Sequence, residues 1–124
     1  MATILIVEDE VFVLQAAEWA LEDMGHKPLM ASDLTEALEH LSASGSIDAL
    51  FVDIRLRALA QGGYDVANQA VRIRPDLRVL YTSGTPFDDE MAGLFVNGGQ
   101  FLQKPYSPEG LGLSLRALLD TPNP

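Results

Sequence analysis

The chain has 124 residues, of which 48% are hydrophobic, and this length suits one domain built around one core. Eighteen acidic against eight basic residues give a net charge of −10, so we expect no direct binding to the phosphate backbone of nucleic acid. Cysteine is absent and no apolar run approaches the roughly 20 residues of a membrane-spanning helix, which favours a reducing, cytoplasmic setting without membrane contact.

Five short apolar segments are predicted to form strands. Three of them are continuously apolar rather than alternating, which is typical of parallel strands covered on both faces. The five predicted strands are Thr3–Val7, Pro28–Ala31, Ala49–Val52, Val79–Thr82 and Gln100–Gln103.

Apolar residues with helical spacing follow each of these segments. Ser32 or Asp33 is predicted to cap the second helix, with Glu36 completing a capping box. The pairs Thr85-Pro86 and Ser107-Pro108 predict the starts of the fourth and fifth helices. The five helical stripes are Leu14–Met24, Leu34–Leu41, Val66–Ile73, Met91–Phe95 and Leu111–Leu118.

This alternation of strand and helix predicts an α/β fold. We expect a five-stranded parallel sheet with right-handed crossovers and helices on both faces. The fold is predicted to occupy residues 1–120, with 121–124 as a short tail.

Polar residues stand at the carboxyl ends of the predicted strands, where sheets of this kind bind ligands. Glu8 and Asp9 follow the first strand, Asp53 follows the third, Thr82 ends the fourth and Lys104 follows the fifth. Converging carboxylates repel one another unless positive charge lies among them. Lys104 and a divalent cation answer that need, and all-oxygen ligands favour Mg²⁺.

This set of groups suits phosphoryl chemistry. A carboxylate beside Mg²⁺, a lysine and a hydroxyl is equipped to attack phosphorus and hold a phosphoryl group as an acyl phosphate. The carboxylate of Asp53 is the candidate nucleophile, and the Lys104 ammonium and the Thr82 hydroxyl would contact the phosphoryl oxygens.

Four motifs in this order resemble the receiver domain of two-component response regulators, over essentially the whole chain. They are "ILIVEDE", "LFVDIRL", "VLYTSG" and "FLQKPY". The resemblance implies a (βα)5 flavodoxin-like fold and a switch that is not a conventional enzyme, because it only accepts and loses its own phosphoryl group.

The resemblance also assigns the phosphoryl site. Asp53 would be the phosphoacceptor for a histidine kinase or a histidine phosphotransfer protein. Asp53, Asp9, Glu8 (directly or through water) and the backbone carbonyl of Arg55 would hold Mg²⁺ or Mn²⁺.

By the same resemblance, the switch is built from residues on the fourth and fifth strands. Thr82 would bind the phosphoryl oxygen, Lys104 would pair with the phosphoryl group, and the Lys104–Pro105 peptide bond would be cis. Phe101 would turn inward when the Thr82 hydroxyl moves. The face formed by the fourth helix, fifth strand and fifth helix would then change and bind an unknown downstream protein or, as a homodimer, a second copy.

The loop after Asp53 departs from the family pattern. Arg57 stands where a proline is usual, and the glycines are delayed to Gly62 and Gly63. Two interpretations stay open: a tolerated surface insertion, or a loop in which Arg55 or Arg57 alters the lifetime of the phosphoryl group.

The sequence raises three alternatives, and its residues argue against the first two. A phosphatase of the haloacid dehalogenase type would need a second aspartate two residues after its nucleophile, where this chain has Val11 or Arg55. A receiver-like docking module that is never phosphorylated would typically lack one member of the pocket. A receiver cut from a longer response regulator or hybrid kinase fits the same motifs.

Overall fold

The structure, a computed structural model, describes residues 1–43, 45–56 and 62–120. Arg57 and the expected tail at 121–124 lie outside this part of the chain. Five strands alternate with five helices within it. These are β1 (Thr3–Val7), α1 (Val11–Asp23), β2 (Lys27–Ala31), α2 (Leu34–Ser42), β3 (Ala49–Asp53), α3 (Gly62–Ile73), β4 (Arg78–Ser83), α4 (Asp89–Leu94), β5 (Gln100–Gln103) and α5 (Pro108–Asp120).

The five strands form one parallel sheet in the order β2-β1-β3-β4-β5. The predicted α/β class is therefore confirmed. From β1 the chain first adds β2 on one side and later adds β3 on the other, so the strand order reverses at β1. The crevice beyond the carboxyl ends of β1 and β3 is where a sheet of this topology binds its ligands.

The core lies on both faces of the sheet, which explains the continuously apolar strands. In β1, Leu5 and Val7 belong to the cluster on one face, and Ile4 and Ile6 belong to the cluster on the other. Burying one such side chain stabilises the fold by about 1.5–3 kcal/mol. The sheet is thus held from both sides, and its carboxyl edge is left for polar groups.

Two of the predicted helix starts are confirmed. The Asp33 carboxylate accepts a hydrogen bond from the Glu36 amide at 2.9 Å, and the Glu36 carboxylate accepts one from the Ser32 amide at 2.7 Å. The Ser107 hydroxyl accepts from the Gly110 amide at 3.0 Å at the start of α5. None of the helices in the described ranges has the length and apolar character needed to cross a membrane.

The predicted start of the fourth helix at Thr85-Pro86 is wrong. The cap is Asp88, whose carboxylate accepts a hydrogen bond from the Met91 amide at 2.8 Å. The Thr85 amide instead donates to the Ser83 hydroxyl at 3.1 Å, which holds this residue in the loop after β4. Aspartate at the cap has the stronger preference, and it shortens α4 to six residues.

Candidate functional site

Three carboxylates meet at the carboxyl edge of the sheet. Glu8 and Asp9 follow β1, and Asp53 is the last residue of β3. Glu8 and Asp53 are buried and Asp9 is half-buried, and one oxygen from each lies within 4.8 Å of the others. This separation suits a hard divalent cation with several oxygen ligands. The three acids among the four predicted metal ligands are thus brought together.

Lys104 supplies a positive charge between two of these carboxylates. Its Nζ atom lies 2.6 Å from Glu8 Oε1 and 3.2 Å from Asp53 Oδ2. The Lys104–Pro105 peptide bond that follows is cis. Three carboxylates lie near this single ammonium, so Lys104 alone does not neutralise their negative charge. A bound cation would neutralise more of it.

The electrostatics of the pair follow from burial and from these contacts. Burial raises the pKa of Glu8 to about 7, and the negative charge of Asp53 adds to this, while Lys104 and the Glu10 amide oppose it. Burial lowers the pKa of Lys104, but Glu8 and Asp53 outweigh it, so its pKa lies above the ordinary value. Lys104 is therefore charged throughout the physiological range.

Backbone amides hold the buried carboxylates in place. The Arg55 amide donates to Asp53 Oδ1 at 3.2 Å, and the Glu10 amide donates to Glu8 Oε2 at 3.2 Å. Both oxygens of Asp53 thus have a hydrogen-bond donor, one from the chain and one from Lys104. The metal-ligand role of the Arg55 carbonyl stays a prediction.

Thr82 lies beside Asp53 in the sheet, but its hydroxyl is directed away from it. The two residues are partners across β3 and β4, and Thr82 is buried. Its Oγ1 donates to the carbonyl of Leu102 in β5 at 2.7 Å. In this state the hydroxyl is bound to the neighbouring strand, and a phosphoryl oxygen would have to compete for it.

Phe101, the predicted switch aromatic, is half-buried in a group of rings. Its ring centre lies 5.4 Å from that of Phe87 and 6.4 Å from that of Phe95. The Phe95 ring in turn stacks on Tyr81, the neighbour of Thr82 in β4, at 4.0 Å. The rings therefore connect the strand that carries Thr82 to the segment around α4.

Gly63 has a positional role that sequence reasoning missed. Its amide donates to the Ile54 carbonyl at 2.8 Å, and an added Cβ atom would lie 2.2 Å from the carbonyl oxygen of Asp53. Only glycine allows α3 to begin this close to the end of β3. The delayed pair of glycines in the sequence was the available signal.

Tyr106 is a second residue that sequence reasoning missed. Its ring packs edge-to-face with the ring of Phe51 in β3, with the ring centres 5.6 Å apart. Burial raises the pKa of Tyr106 to about 12, with Lys104 opposing the shift and the carboxylates of Glu8 and Asp53 adding to it. The aromatic residue two positions after the lysine was the only signal for it.

Comparison with known proteins identifies the family. The family model described as the response regulator receiver domain matches residues 4–116. The response regulator SaeR of Staphylococcus aureus is 29% identical over 120 residues. That match covers 96% of this chain but 51% of the relative, so the chain spans about half the length of SaeR.

Solved structures show the same likeness over nearly the whole chain. A response regulator receiver protein from Sinorhizobium medicae is 31% identical, with a TM-score of 0.85 and coverage of 97% of this chain and 95% of that one. A receiver domain protein from Clostridium thermocellum is 27% identical, with a TM-score of 0.84 and the same two coverages. The chain belongs to the response regulator receiver domain family of two-component signalling proteins.

Proposed function

We propose that this chain is a phosphorylation-driven switch in which Asp53 accepts a phosphoryl group from a phosphohistidine. The donor would be a histidine kinase or a histidine phosphotransfer protein. The observation that carries the proposal is the placement of Asp53. Its buried carboxylate lies at the open carboxyl edge of the sheet, 3.2 Å from the Lys104 ammonium and within 4.8 Å of two further acids.

The transfer exchanges one bond to phosphorus for another. An oxygen of the Asp53 carboxylate attacks phosphorus, the P–N bond to the donor imidazole breaks, and its electron pair stays on the imidazole nitrogen, which takes up a proton. Lys104 pairs with the phosphoryl oxygens, and the Arg55 amide keeps the attacking carboxylate in place. The chain is the acceptor and turns over no separate substrate.

Glu8, Asp9, Asp53 and the Arg55 carbonyl would hold Mg²⁺ or Mn²⁺ at this edge. When bound, the ion neutralises charge on the phosphoryl oxygens. The chain itself contributes a preformed set of acids. Lys104 keeps these acids together by offsetting part of their repulsion.

Phosphorylation would shift the equilibrium between two arrangements of β4 and β5. A phosphoryl group at Asp53 would draw the Thr82 hydroxyl away from the Leu102 carbonyl, and Phe101 would turn into the space that this opens. The face formed by α4, β5 and α5 would then bind a downstream protein. A swing from mostly inactive to mostly active needs roughly 5.5 kcal/mol of differential stabilisation.

Intact-mass spectrometry after incubation with acetyl phosphate and Mg²⁺ tests the proposal. We expect one phosphoryl adduct that requires the metal, is released by hydroxylamine and is absent from Asp53→Asn. Asp65→Asn is the matched control, because Asp65 is exposed on α3 and should leave the adduct intact. No adduct, together with no response to beryllofluoride, would favour the docking module that is never phosphorylated.

A further inference from the structure

The outer faces of α1 and α5 form an apolar groove that lies away from the phosphoryl site. Trp19 on α1 is 62% exposed and Leu113 on α5 is 66% exposed, and both line a cleft of about 670 Å³. Its remaining lining includes Ala16, Ala20, Met24 and Gly112. Two large exposed apolar side chains beside one cleft make it a candidate interaction surface.

The groove follows from how the two helices pack on the sheet. Leu21 of α1 and Leu115 of α5 are directed into the core, so the opposite sides of both helices face outward. Small residues on these outward sides leave the floor of the groove open. A Cβ atom at Gly112 would lie 3.4 Å from Met24 Sδ, so the two helices are already in close contact below the groove.

The rim of the groove carries both signs of charge. Asp23 and Glu109 are exposed on it, and so is Arg116. Within the described ranges, none of these three residues forms an ion pair. A patch with an apolar centre and unpaired charges of both signs is complementary to a copy of itself.

We propose that this groove is the contact surface of a homodimer, in which a second copy of the chain is bound about a two-fold axis. A two-fold axis places the same patch of the two copies face to face, so a protruding side chain of one copy meets the groove of the other. The Trp19 ring of each copy would enter the groove of the other. Arg116 of each copy would face the acids Asp23 and Glu109 of the other.

This assignment differs from the dimer expected through α4, β5 and α5. The described α4 has six residues and none of them is buried. This helix is therefore weakly attached to the core and is a poor support for a stable interface. The helices α1 and α5 have 13 residues each, and both contribute side chains to the core. Two long helices anchored in the core are the better platform for a self-complementary contact.

Trp19 is the single tryptophan of the chain, so its fluorescence reports directly on this surface. We expect its emission to move to shorter wavelength and acrylamide quenching to fall as protein concentration rises. Sedimentation equilibrium on the same samples should show the mass doubling over the same concentration range. About 150 mM salt is appropriate, because the Debye length of about 8 Å then screens the net negative charge of each copy.

Substitutions inside and outside the groove test whether dimerisation depends on this surface. Leu113→Lys should give a monomer at concentrations where the unaltered chain is a dimer. Ile73→Lys is the matched control, because Ile73 is 43% exposed on α3 and should leave the dimer intact. Far-UV circular dichroism and thermal unfolding show that each variant is folded.

Charge inversion tests the orientation of the two copies. Arg116→Glu alone should raise the dimer dissociation constant by about tenfold or more, because like charges then face each other. Combining it with Asp23→Lys and Glu109→Lys inverts the whole rim and should restore dimerisation.

Three results would overturn the proposal. They are a monomer at every concentration, a dimer that Leu113→Lys leaves unchanged, and a failure of the inverted rim to restore what Arg116→Glu loses. A monomeric chain in which Leu113→Lys blocks phosphorylation by a histidine kinase but not by acetyl phosphate would assign the groove to the phosphodonor. These readouts are independent of the Asp53 adduct, so the two proposals fail separately.

Discussion

Lys104 is the residue on which the stability of the acidic site depends. Its ammonium contacts two buried carboxylates and is itself 19% exposed. Removing the ammonium leaves both carboxylates buried without that partner, which is more costly than the net value of the ion pair.

We predict that Lys104→Met lowers the free energy of unfolding by about 3–5 kcal/mol above pH 7. The loss should shrink at lower pH, because the Glu8 pKa, about 7 with Lys104 present, rises further without the lysine, and protonation then removes the Glu8 charge. Urea unfolding at several pH values measures this, and added Mg²⁺ should recover part of the loss. The other lysine, the exposed Lys27, is the control, and Lys27→Met should change stability by less than about 0.5 kcal/mol. A loss for Lys104→Met that is equal at all pH values would contradict this account.

His26 gives the fold a pH-dependent contact at the other end of the sheet. Its Nδ1 atom accepts a hydrogen bond from the Ala2 amide at 3.1 Å. Burial lowers the pKa of His26, the chain's N-terminal charge lowers it further, and Asp48 opposes the shift. The fold therefore prefers the neutral imidazole, because only that form accepts the bond.

The sign of the pH effect follows from the lowered pKa. The contribution of His26 is present above its unfolded pKa of about 6.5 and is lost as pH falls through the lower folded value. We predict that the stability difference between the unaltered chain and His26→Gln is larger at about pH 7.5 than at about pH 5. His40→Gln is the control, since the partner of His40 Nε2, at 2.9 Å, is the Met30 carbonyl, which only accepts hydrogen bonds. A difference that grows on acidification would contradict the prediction.

The placement of single residues was predictable from sequence where each stands at the end of a predicted strand. Asp53 and Lys104 were predictable because strand ends converge at one edge of the sheet, where a carboxylate and an ammonium offset each other's charge. The direction of the Thr82 hydroxyl was not predictable, because it depends on which carbonyl the neighbouring strand presents. Tyr106 was missed because its burial comes from contact with Phe51, 55 residues away in sequence.

At the scale of elements, Gly63 fixes the distance between the start of α3 and the end of β3. We predict that Gly63→Ala lowers the free energy of unfolding by about 1–3 kcal/mol and slows phosphorylation of Asp53, because the new Cβ must displace the Asp53 backbone. Gly93→Ala in α4 is the control, because a Cβ there meets nothing within 4 Å. It should leave the phosphorylation rate unchanged. Thermal unfolding and the rate of adduct formation measure both effects, and a Gly63→Ala chain with normal rate would contradict the role.

A buried side chain of the sheet accepts a hydrogen bond from the segment after α4. Tyr81 accepts a hydrogen bond from the Val96 amide at 2.9 Å, while α4 itself has no buried residue. We predict that Tyr81→Phe costs about 1 kcal/mol and speeds hydrogen exchange at the Val96 amide, because the amide loses its acceptor. Tyr106→Phe is the control and should leave exchange at Val96 unchanged. Unchanged exchange in Tyr81→Phe would show that another group anchors this segment.

The helices were predictable from sequence where periodicity and capping residues agreed. Asp33 and Ser107 were placed correctly because each stands just before a clear apolar stripe. The start of α4 was placed too early, because Thr85-Pro86 matches a capping pattern while Ser83 already binds the Thr85 amide. A local pattern cannot reveal that competing contact.

At the scale of the whole molecule, the net charge of −10 works against compactness. We predict that raising the NaCl concentration from about 10 to about 150 mM increases the melting temperature, because the Debye length falls from about 30 to about 8 Å. A gain of roughly 1 kcal/mol would correspond to about 4 °C. Choline chloride is the control and should act equally, and a gain confined to NaCl would indicate specific cation binding instead.

The class of fold was predictable from the alternation of apolar strands and amphipathic helices. The order of the strands within the sheet was not predictable from that alternation, because the side on which β2 joins β1 depends on packing between distant segments. The sequence does show polar residues, such as Asp9 and Asp53, at strand ends. The structure makes the strands β1 and β3 that carry them neighbours in the sheet.

The contact between Glu8 and Lys104 joins residues that are 96 positions apart. Synthesis must therefore have passed Lys104 before this contact can form, and closing so long a loop comes late in folding. A partly synthesised or truncated chain would carry Asp53 without its lysine. Under the proposed function, the chain can therefore accept a phosphoryl group only after its fifth strand has been made and has paired with the sheet.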